Sequence, residues 1–314
     1  MSKLAFVFPG QGSQAVGMVK EFAERDKACK KFLQQADKAL GFELSKLMLE
    51  GPQDELTLTY NAQPALLTAG AMIAAKLEAA GITPDYSAGH SLGEYTALVE
   101  SRVLSFEDAV VAVHKRGLYM NEAVPAGKGA MAAILGMDHD VLESITSNIT
   151  ESGHPVQPAN LNCPGQIVIS GAKEGVNKAC VALKEAGAKR ALLLDVSGPF
   201  HSVLMEPAAA ELEKTLSEID MKDAEIPVIA NVTADVVTNQ EEIRKLLVEQ
   251  LYSPVRWEES VEKLLDLGVT RFIECGPGKV LSGLIRKIDR TATVYPVYDE
   301  ESLQKVLDEA KEWS

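Results

Sequence analysis

What the chain lacks narrows its identity before any motif is read. Its four cysteines, Cys29, Cys163, Cys180 and Cys275, form no C-x-x-C pair. Neither a disulfide framework nor a cysteine zinc site is expected, and the four read as small buried hydrophobes. No apolar run reaches the roughly 20 residues of a membrane span. The run near the N-terminus, Leu4 to Phe8, is too short for a signal peptide, and Lys76 interrupts the longest apolar helix, so a cytoplasmic location is the expectation. Cations are scarce: 31 Lys and Arg face 45 Asp and Glu, for a net charge of −14. That sign disfavours nucleic acid and anionic membranes as partners. An acidic partner would need a local basic patch.

What is there supports a large core. The 314 residues are 46% hydrophobic, enough for one or two domains. Leu4 to Phe8 reads as a buried strand, followed by the turn-rich Pro9-Gly10-Gln11-Gly12-Ser13-Gln14. Helical patterns follow over Asp26 to Leu40, Pro64 to Ala80, Leu92 to Glu100 and Phe106 to Ala123. From Gly129 the order becomes strand, helix, strand, strand, helix, strand, ending with Arg190 to Val196, which is the ferredoxin-like unit. Turn residues bracket it at Pro125-Ala126-Gly127 and Ser197-Gly198-Pro199. The expected division is a large domain of residues 1–126 and 197–314 carrying an inserted small domain of 127–196. A helix over Ser202 to Ile219, a capping box at Thr238-x-x-Glu241, and further strands and helices complete a large domain whose sheet is mostly parallel.

The chemistry begins at Gly89-His90-Ser91-Leu92-Gly93. Two glycines flanking a serine, between a short apolar stretch and a helix, permit a strained turn that lifts Oγ toward the helix N-terminus. A serine hydroxyl needs a base, usually histidine. Of the five histidines, His201 in Gly198-Pro199-Phe200-His201-Ser202 is the candidate, the competing reading being a junction residue that helps cap a helix. His90 points across the turn, His114 sits on a helix, and His139 and His154 lie in the small domain. Asp195, the carboxylate nearest His201, reads as a solvated strand end and not as a triad acid. Gly276-Pro277-Gly278 lacks the lysine–serine pair of a phosphate-binding loop and reads as a structural turn.

Taken together, Phe8-Pro9-Gly10-Gln11-Gly12-Ser13-Gln14, Ala88-Gly89-His90-Ser91-Leu92-Gly93-Glu94-Tyr95, Arg116-Gly117, Phe200-His201-Ser202 and Glu274-Cys275-Gly276-Pro277-Gly278-Lys279 resemble the malonyl-CoA:acyl carrier protein transacylase family, nearly end to end. The resemblance implies an α/β-hydrolase-like large domain with a ferredoxin-like insertion. It implies ping-pong malonyl transfer from malonyl-CoA to acyl carrier protein through Ser91 with His201 as base, needing no cofactor and no metal, and serving fatty acid biosynthesis. It further implies an oxyanion hole from the backbone N–H groups of Gln11 and Leu92, a grip on the malonyl carboxylate by Arg116, and a carbonyl of Gln250 orienting the histidine. Gln63, Asn160 and Asn162 fall in segments that resemble pocket-lining ones, and Phe200 matches the residue that crowds an α-methyl branch. Lys189, Arg190, Lys279, Arg286, Lys287 and Arg290 are candidates for a basic rim, the alternative being solvated helix faces. Two other functions stay open to the sequence: a serine thioesterase or esterase of the α/β-hydrolase class, and a non-catalytic module that binds carrier protein.

Overall fold

The buried run at the start of the chain becomes an inner strand of the larger of two sheets in the computed structural model, which describes residues 2–125 and 127–313. Eleven strands are found among these residues: β1 (Lys3–Phe8), β2 (Tyr86–Gly89), β3 (Gly129–Leu135), β4 (Val156–Cys163), β5 (Gln166–Ala172), β6 (Arg190–Leu193), β7 (Val228–Ile229), β8 (Val236–Val237), β9 (Val255–Arg256), β10 (Val269–Cys275) and β11 (Thr293–Val297). The six-stranded sheet has the order β11-β10-β1-β2-β7-β8. Its pairs are parallel except for the β7–β8 hairpin.

Alternation along β1 explains the layering. Phe6 and Phe8 pack into one core with helices Thr59–Ala79, Leu92–Glu100 and Phe106–Glu122. Ala5 and Val7 face the opposite layer, with Trp257 and Val261 of helix Trp257–Asp266 and Leu281 and Ile285 of helix Val280–Ile288. The sheet is therefore covered on both sides.

The five-stranded sheet runs β6-β3-β5-β4-β9. Its first four strands are antiparallel and, with helices His139–Glu151 and Lys173–Glu185, form the expected ferredoxin-like unit. The fifth, β9, pairs parallel with β4 and comes from the later part of the chain. The expected boundary at Ala126 lies outside the described residues.

Some elements differ from the sequence expectation, each for a local reason. The helix expected from Pro64 starts at Thr59, with Pro64 inside it. Proline lacks the N–H that would bond the carbonyl of Tyr60, and His114 Nδ1 donates to that carbonyl instead at 2.7 Å. The cap expected at Thr238 is Asn239, whose side chain accepts from the N–H groups of Glu241 and Glu242. The stretch from Ser202 opens with the 3₁₀ turn Val203–Met205, and the α-helix, Glu206–Ser217, follows with Pro207 in its first turn. β6 stops at Leu193, which leaves Asp195 in a loop.

Candidate active site

Three neighbouring strands deliver the centre of the site. Ser91 follows β2, Gln11 follows β1 and Asn231 follows β7, and these strands lie side by side and parallel. Their carboxyl ends open on one cleft, the usual place for a ligand in such a sheet. Ser91 adopts φ 52° and ψ −106°, a backbone region that disfavours a side chain. The flanking glycines are required by space: a Cβ on Gly89 would collide with the backbone of Gly93, and one on Gly93 with the carbonyl of Phe8. Although Ser91 is the N-cap of helix Leu92–Glu100, its hydroxyl makes no capping bond. It is free for chemistry.

The hydroxyl's partners define its protonation. Ser91 Oγ lies 2.8 Å from His201 Nε2, and His201 Nδ1 lies 2.8 Å from the main-chain oxygen of Gln250. A carbonyl oxygen only accepts, so Nδ1 carries the proton and Nε2 accepts from the serine. Burial, then the neighbouring Arg116 guanidinium, hold the imidazole down to about 3. At neutral pH it is an unprotonated base already aimed at its acid. His201 itself has φ 56°. Gln157 of β4 holds its main chain, donating to the carbonyls of His201 at 3.3 Å and Tyr252 at 3.2 Å and accepting from Val203 N–H at 3.0 Å. The small sheet thereby braces the base. Asp195 lines the cleft and makes no hydrogen bond to His201 among the described residues.

Arg116 is 1% exposed. Its guanidinium donates to Gln63 Oε1 at 2.7 Å, to Gln250 Oε1 at 2.9 Å and to Ser91 Oγ at 3.1 Å, and it lies over the ring of Tyr95. Every one of these acceptors is neutral, and Nε has no partner among the described residues. Its hydrogen-bond acceptors are neutral and, of the carboxyls, only the nearby Glu94 acts on it through space, so the guanidinium retains the capacity to bind an anion.

The cleft has a volume of about 230 Å³ and is lined by Gln11, Gln63, Ser91, Leu92, Arg116, Asn160, Phe200 and His201, among others. The main-chain N–H groups of Gln11 and Leu92 have no hydrogen-bond acceptor among the described residues. Asn162 is absent from the lining; its side chain meets His90 Nε2 at 2.8 Å. The Gly276-Pro277-Gly278 turn also lies elsewhere in its chemistry. Buried Glu274 accepts from the N–H groups of Leu281 at 2.9 Å and Ser282 at 2.7 Å, so a carboxylate already fills the helix terminus that a phosphate would need.

Two buried residues at the centre carry no sequence motif of their own or sit unremarked within one. Asn231 accepts from Ser91 N–H at 2.7 Å and donates to the carbonyl of Gly89 at 2.7 Å, tying both sides of the serine turn. Glu94 accepts from Asn231 N–H at 3.1 Å and Gln250 Nε2 at 2.7 Å. Burial pushes its carboxyl up to about 7. An asparagine just after a short strand was the only signal for Asn231; the strand order that brings it to Ser91 is a property of the fold. Among the described residues no cluster of His, Cys, Asp and Glu could hold a metal ion, and no helix is long and apolar enough to cross a membrane.

Comparison with known proteins places this geometry. The family described as acyl transferase domain matches residues 5–305. A malonyl CoA-acyl carrier protein transacylase of Bacillus subtilis (strain 168) is 58% identical over 312 residues, covering 99% of this chain and 98% of the relative. The crystal structure of an acyl carrier protein S-malonyltransferase from Vibrio cholerae superposes with a TM-score of 0.95 at 47% identity, covering 97% of this chain and all of that one. A malonyl-transacylase solved in complex with its type II PKS acyl-carrier protein gives a TM-score of 0.95 at 43% identity, over 98% of this chain and 100% of that chain. With likeness running end to end over a fold that gathers serine, histidine and arginine in one cleft, the chain belongs to the malonyl-CoA:acyl carrier protein transacylase family of acyltransferases.

Proposed function

We propose that the cleft carries out malonyl transfer from malonyl-CoA to acyl carrier protein by a ping-pong route, supplying malonyl carrier protein for fatty acid biosynthesis. The observation that carries this reading is the buried Arg116, 3.1 Å from the nucleophilic oxygen and paired only with neutral groups. Malonyl differs from acetyl by a free carboxylate, and a guanidinium binds such a group through two charge-assisted hydrogen bonds.

The steps follow from the proton positions. Ser91 Oγ attacks the thioester carbonyl while its proton passes to His201 Nε2. The carbonyl oxygen becomes an oxyanion facing the free N–H groups of Gln11 and Leu92; losing one such donor typically costs about 2.7–4 kcal/mol. Collapse breaks the C–S bond, and the departing coenzyme A sulfur takes the proton from His201. The carrier protein's pantetheine thiol then gives its proton to His201 and attacks the malonyl-serine ester, and the reverse sequence restores Ser91. Gln250 serves twice, its main-chain oxygen fixing the histidine and its side chain steadying Arg116. Gln63 holds the arginine's other nitrogen, Asn160 lines the acyl space, and Phe200 crowds the position of an α-methyl branch. Asn162 acts one step back, through His90.

No cofactor enters this scheme, and the reading places the enzyme in the cytoplasm. It also assigns catalysis to residues 1–126 and 197–314 and the covering wall of the cleft to the small domain, 127–196. The test is intact mass after brief exposure to malonyl-CoA, beside Ser91→Ala and an acetyl-CoA sample, with a chase by phosphopantetheinylated carrier protein. The expected result is one malonyl adduct that requires Ser91, exceeds the acetyl adduct and passes to the carrier. Equally fast release by water alone would mean a thioesterase, and no adduct at all a binding module.

A further inference from the structure

One buried acid at the centre of the site has no part in the proton path described above. Glu94, on the helix that Ser91 opens, is 2% exposed, and a carboxyl at that depth is unfavourable unless something holds it. Its Oε2 accepts from Asn231 N–H at 3.1 Å and from Gln250 Nε2 at 2.7 Å, and its Oε1 has no hydrogen-bond partner among the described residues. Gln250 Nε2 also donates to the main-chain oxygen of Ser91 at 3.1 Å. With two acceptors on its nitrogen, the amide presents its oxygen to Arg116, 2.9 Å away. Glu94 therefore faces the guanidinium through a single intervening amide.

Few charges surround it. Burial pushes its carboxyl up to about 7, against the hydrogen bonds from Asn231 and Gln250 and the charge of Arg116 on helix Phe106–Glu122. Tyr95, next to it in sequence, stays a neutral phenol because burial holds it above its ordinary 10. β1, β2 and helix Thr59–Ala79 pack against the same helix, and among the described residues they turn no ionisable side chain toward Glu94. His201, bonded to the main-chain oxygen of Gln250, is uncharged at neutral pH. Before an acyl donor binds, Arg116 and ionised Glu94 thus balance one another. A carboxylate seated on Arg116 adds a second negative charge where burial keeps screening weak, and like charges that share one cation raise each other's affinity for a proton.

We propose that Glu94 is a positioning residue for substrate choice, the counter-charge of Arg116 that gives way to the substrate's carboxylate, so that each malonyl group enters the site together with one proton bound by Glu94. The inference rests on the malonyltransferase reading. The proton comes from solvent and settles on the open Oε1, which leaves both bonds to Oε2 in place. Charge is conserved: a cation and a carboxylate before binding become a cation, the substrate's carboxylate and a neutral acid after it. Gln250 keeps its orientation throughout, and the guanidinium passes from the field of Glu94 to the substrate. Acetyl brings no charge and requires no proton. The coupling is reciprocal, since a ligand that favours protonated Glu94 must itself be favoured by that protonation.

The kinetic readout is a ratio. Second-order rate constants for Ser91 acylation by malonyl-CoA and acetyl-CoA are measured by intact mass from about pH 5.5 to about pH 9, for the parent and Glu94→Gln. His201 is unprotonated throughout this range, and the coenzyme A phosphates are common to both donors, so the malonyl-to-acetyl ratio isolates the carboxylate. In the parent the ratio should fall about tenfold as pH rises through neutrality. In Glu94→Gln, whose amide oxygen can accept the same two bonds, it should be flat at the parent's low-pH value. A flat ratio in the parent overturns the inference, and so does a slope that persists in Glu94→Gln, including one where both donors decline together. Calorimetric titration of Ser91→Ala near pH 8, in buffers of differing ionisation enthalpy, decides the matter even if Glu94→Gln does not fold. Malonyl-CoA should take up roughly half a proton more than acetyl-CoA, and equal uptake overturns the inference. A parent that forms no adduct with either donor removes the transferase reading itself and this inference with it.

Discussion

Arg116 is the residue to which the proposed reading gives the choice of substrate, and in the sequence only the family resemblance singles it out. Most arginines are solvated, and only the fold reveals this one as buried, three hydrogen bonds from neutral oxygens and in reach of Ser91. Its replacement by alanine should cut kcat/KM for malonyl transfer by about a hundredfold or more, as loss of a desolvated charge contact does. Acetyl transfer, which has no carboxylate to place, should be spared or raised. Steady-state kinetics with both acyl-CoA donors checks this; equal losses would make Arg116 a structural residue.

His201 carries a consequence for acid stability. In the folded chain it is held down to about 3, against an ordinary 6.5. Between these values the unfolded chain binds a proton that the folded chain refuses, so this contribution to stability is present above 6.5 and lost as pH falls through the window. Glu94, raised to about 7 from 4.5 by burial, works in the opposite direction, its protonated form being favoured on folding. The clean readout is a difference: Tm of the parent minus Tm of His201→Asn, taken from pH 7.5 down to 5, should decline steadily, because Glu94 is common to both. A flat difference would place the imidazole in solvent.

At the scale of elements, periodicity carried far. Helices Leu92–Glu100 and Phe106–Glu122 lie where the apolar pattern puts them, to within a residue; the first is buried all round and the second buries one regular face. The misplacements share a cause, a local signal answered from elsewhere in the fold. Pro64 reads as a helix start, yet His114 from another helix satisfies the carbonyl that proline leaves open. Helix Trp257–Asp266 shows apolar residues at helical spacing, Trp257, Val261 and Leu264, yet goes unread above, whereas the two-residue β9 gives no separate sign because its partner β4 is distant in sequence. The glycine turn after β10 was legible as structural, though its mechanism was not: Glu274 caps helix Val280–Ile288 from inside. Removing that cap in Glu274→Ala should cost about 2 kcal/mol. Thermal unfolding should show the loss, and added inorganic phosphate should restore none of it.

At the scale of the whole molecule, the acidic balance of −14 meets a cluster of cations around the small domain's near end. Arg190 lies opposite Leu135, which lies opposite Gln166, and Lys287 Nζ donates to Gln166 at 3.1 Å. Arg190 and Lys287, from the two halves of the expected basic rim, therefore lie at the same end of the small sheet, about two strands apart. Arg286 is tied instead to the carbonyl of Val294 at 2.8 Å. An acidic carrier protein steered to this rim predicts that Arg190→Glu with Lys287→Glu lowers kcat/KM for the carrier and flattens its dependence on salt. Malonyl adduct formation on Ser91 from malonyl-pantetheine, which bears no phosphate, provides the control for folding; a parental salt dependence would dissolve the rim.

The ties that hold the elbow serine join parts of the chain that are far apart in sequence: Asn231 reaches it from the end of β7, and Gln250 from a helix beyond. Parallel strands cannot meet through a tight turn, so β1, β2 and β7 assemble only after long loops have closed. No local fragment of the polypeptide can rehearse this chemistry. The capacity to accept an acyl group is therefore acquired late on the folding route, when the long-range register is complete. On the reading proposed above, Ser91 acylation would be a covalent stamp of the finished topology, one that nascent or partly unfolded chains would fail to take.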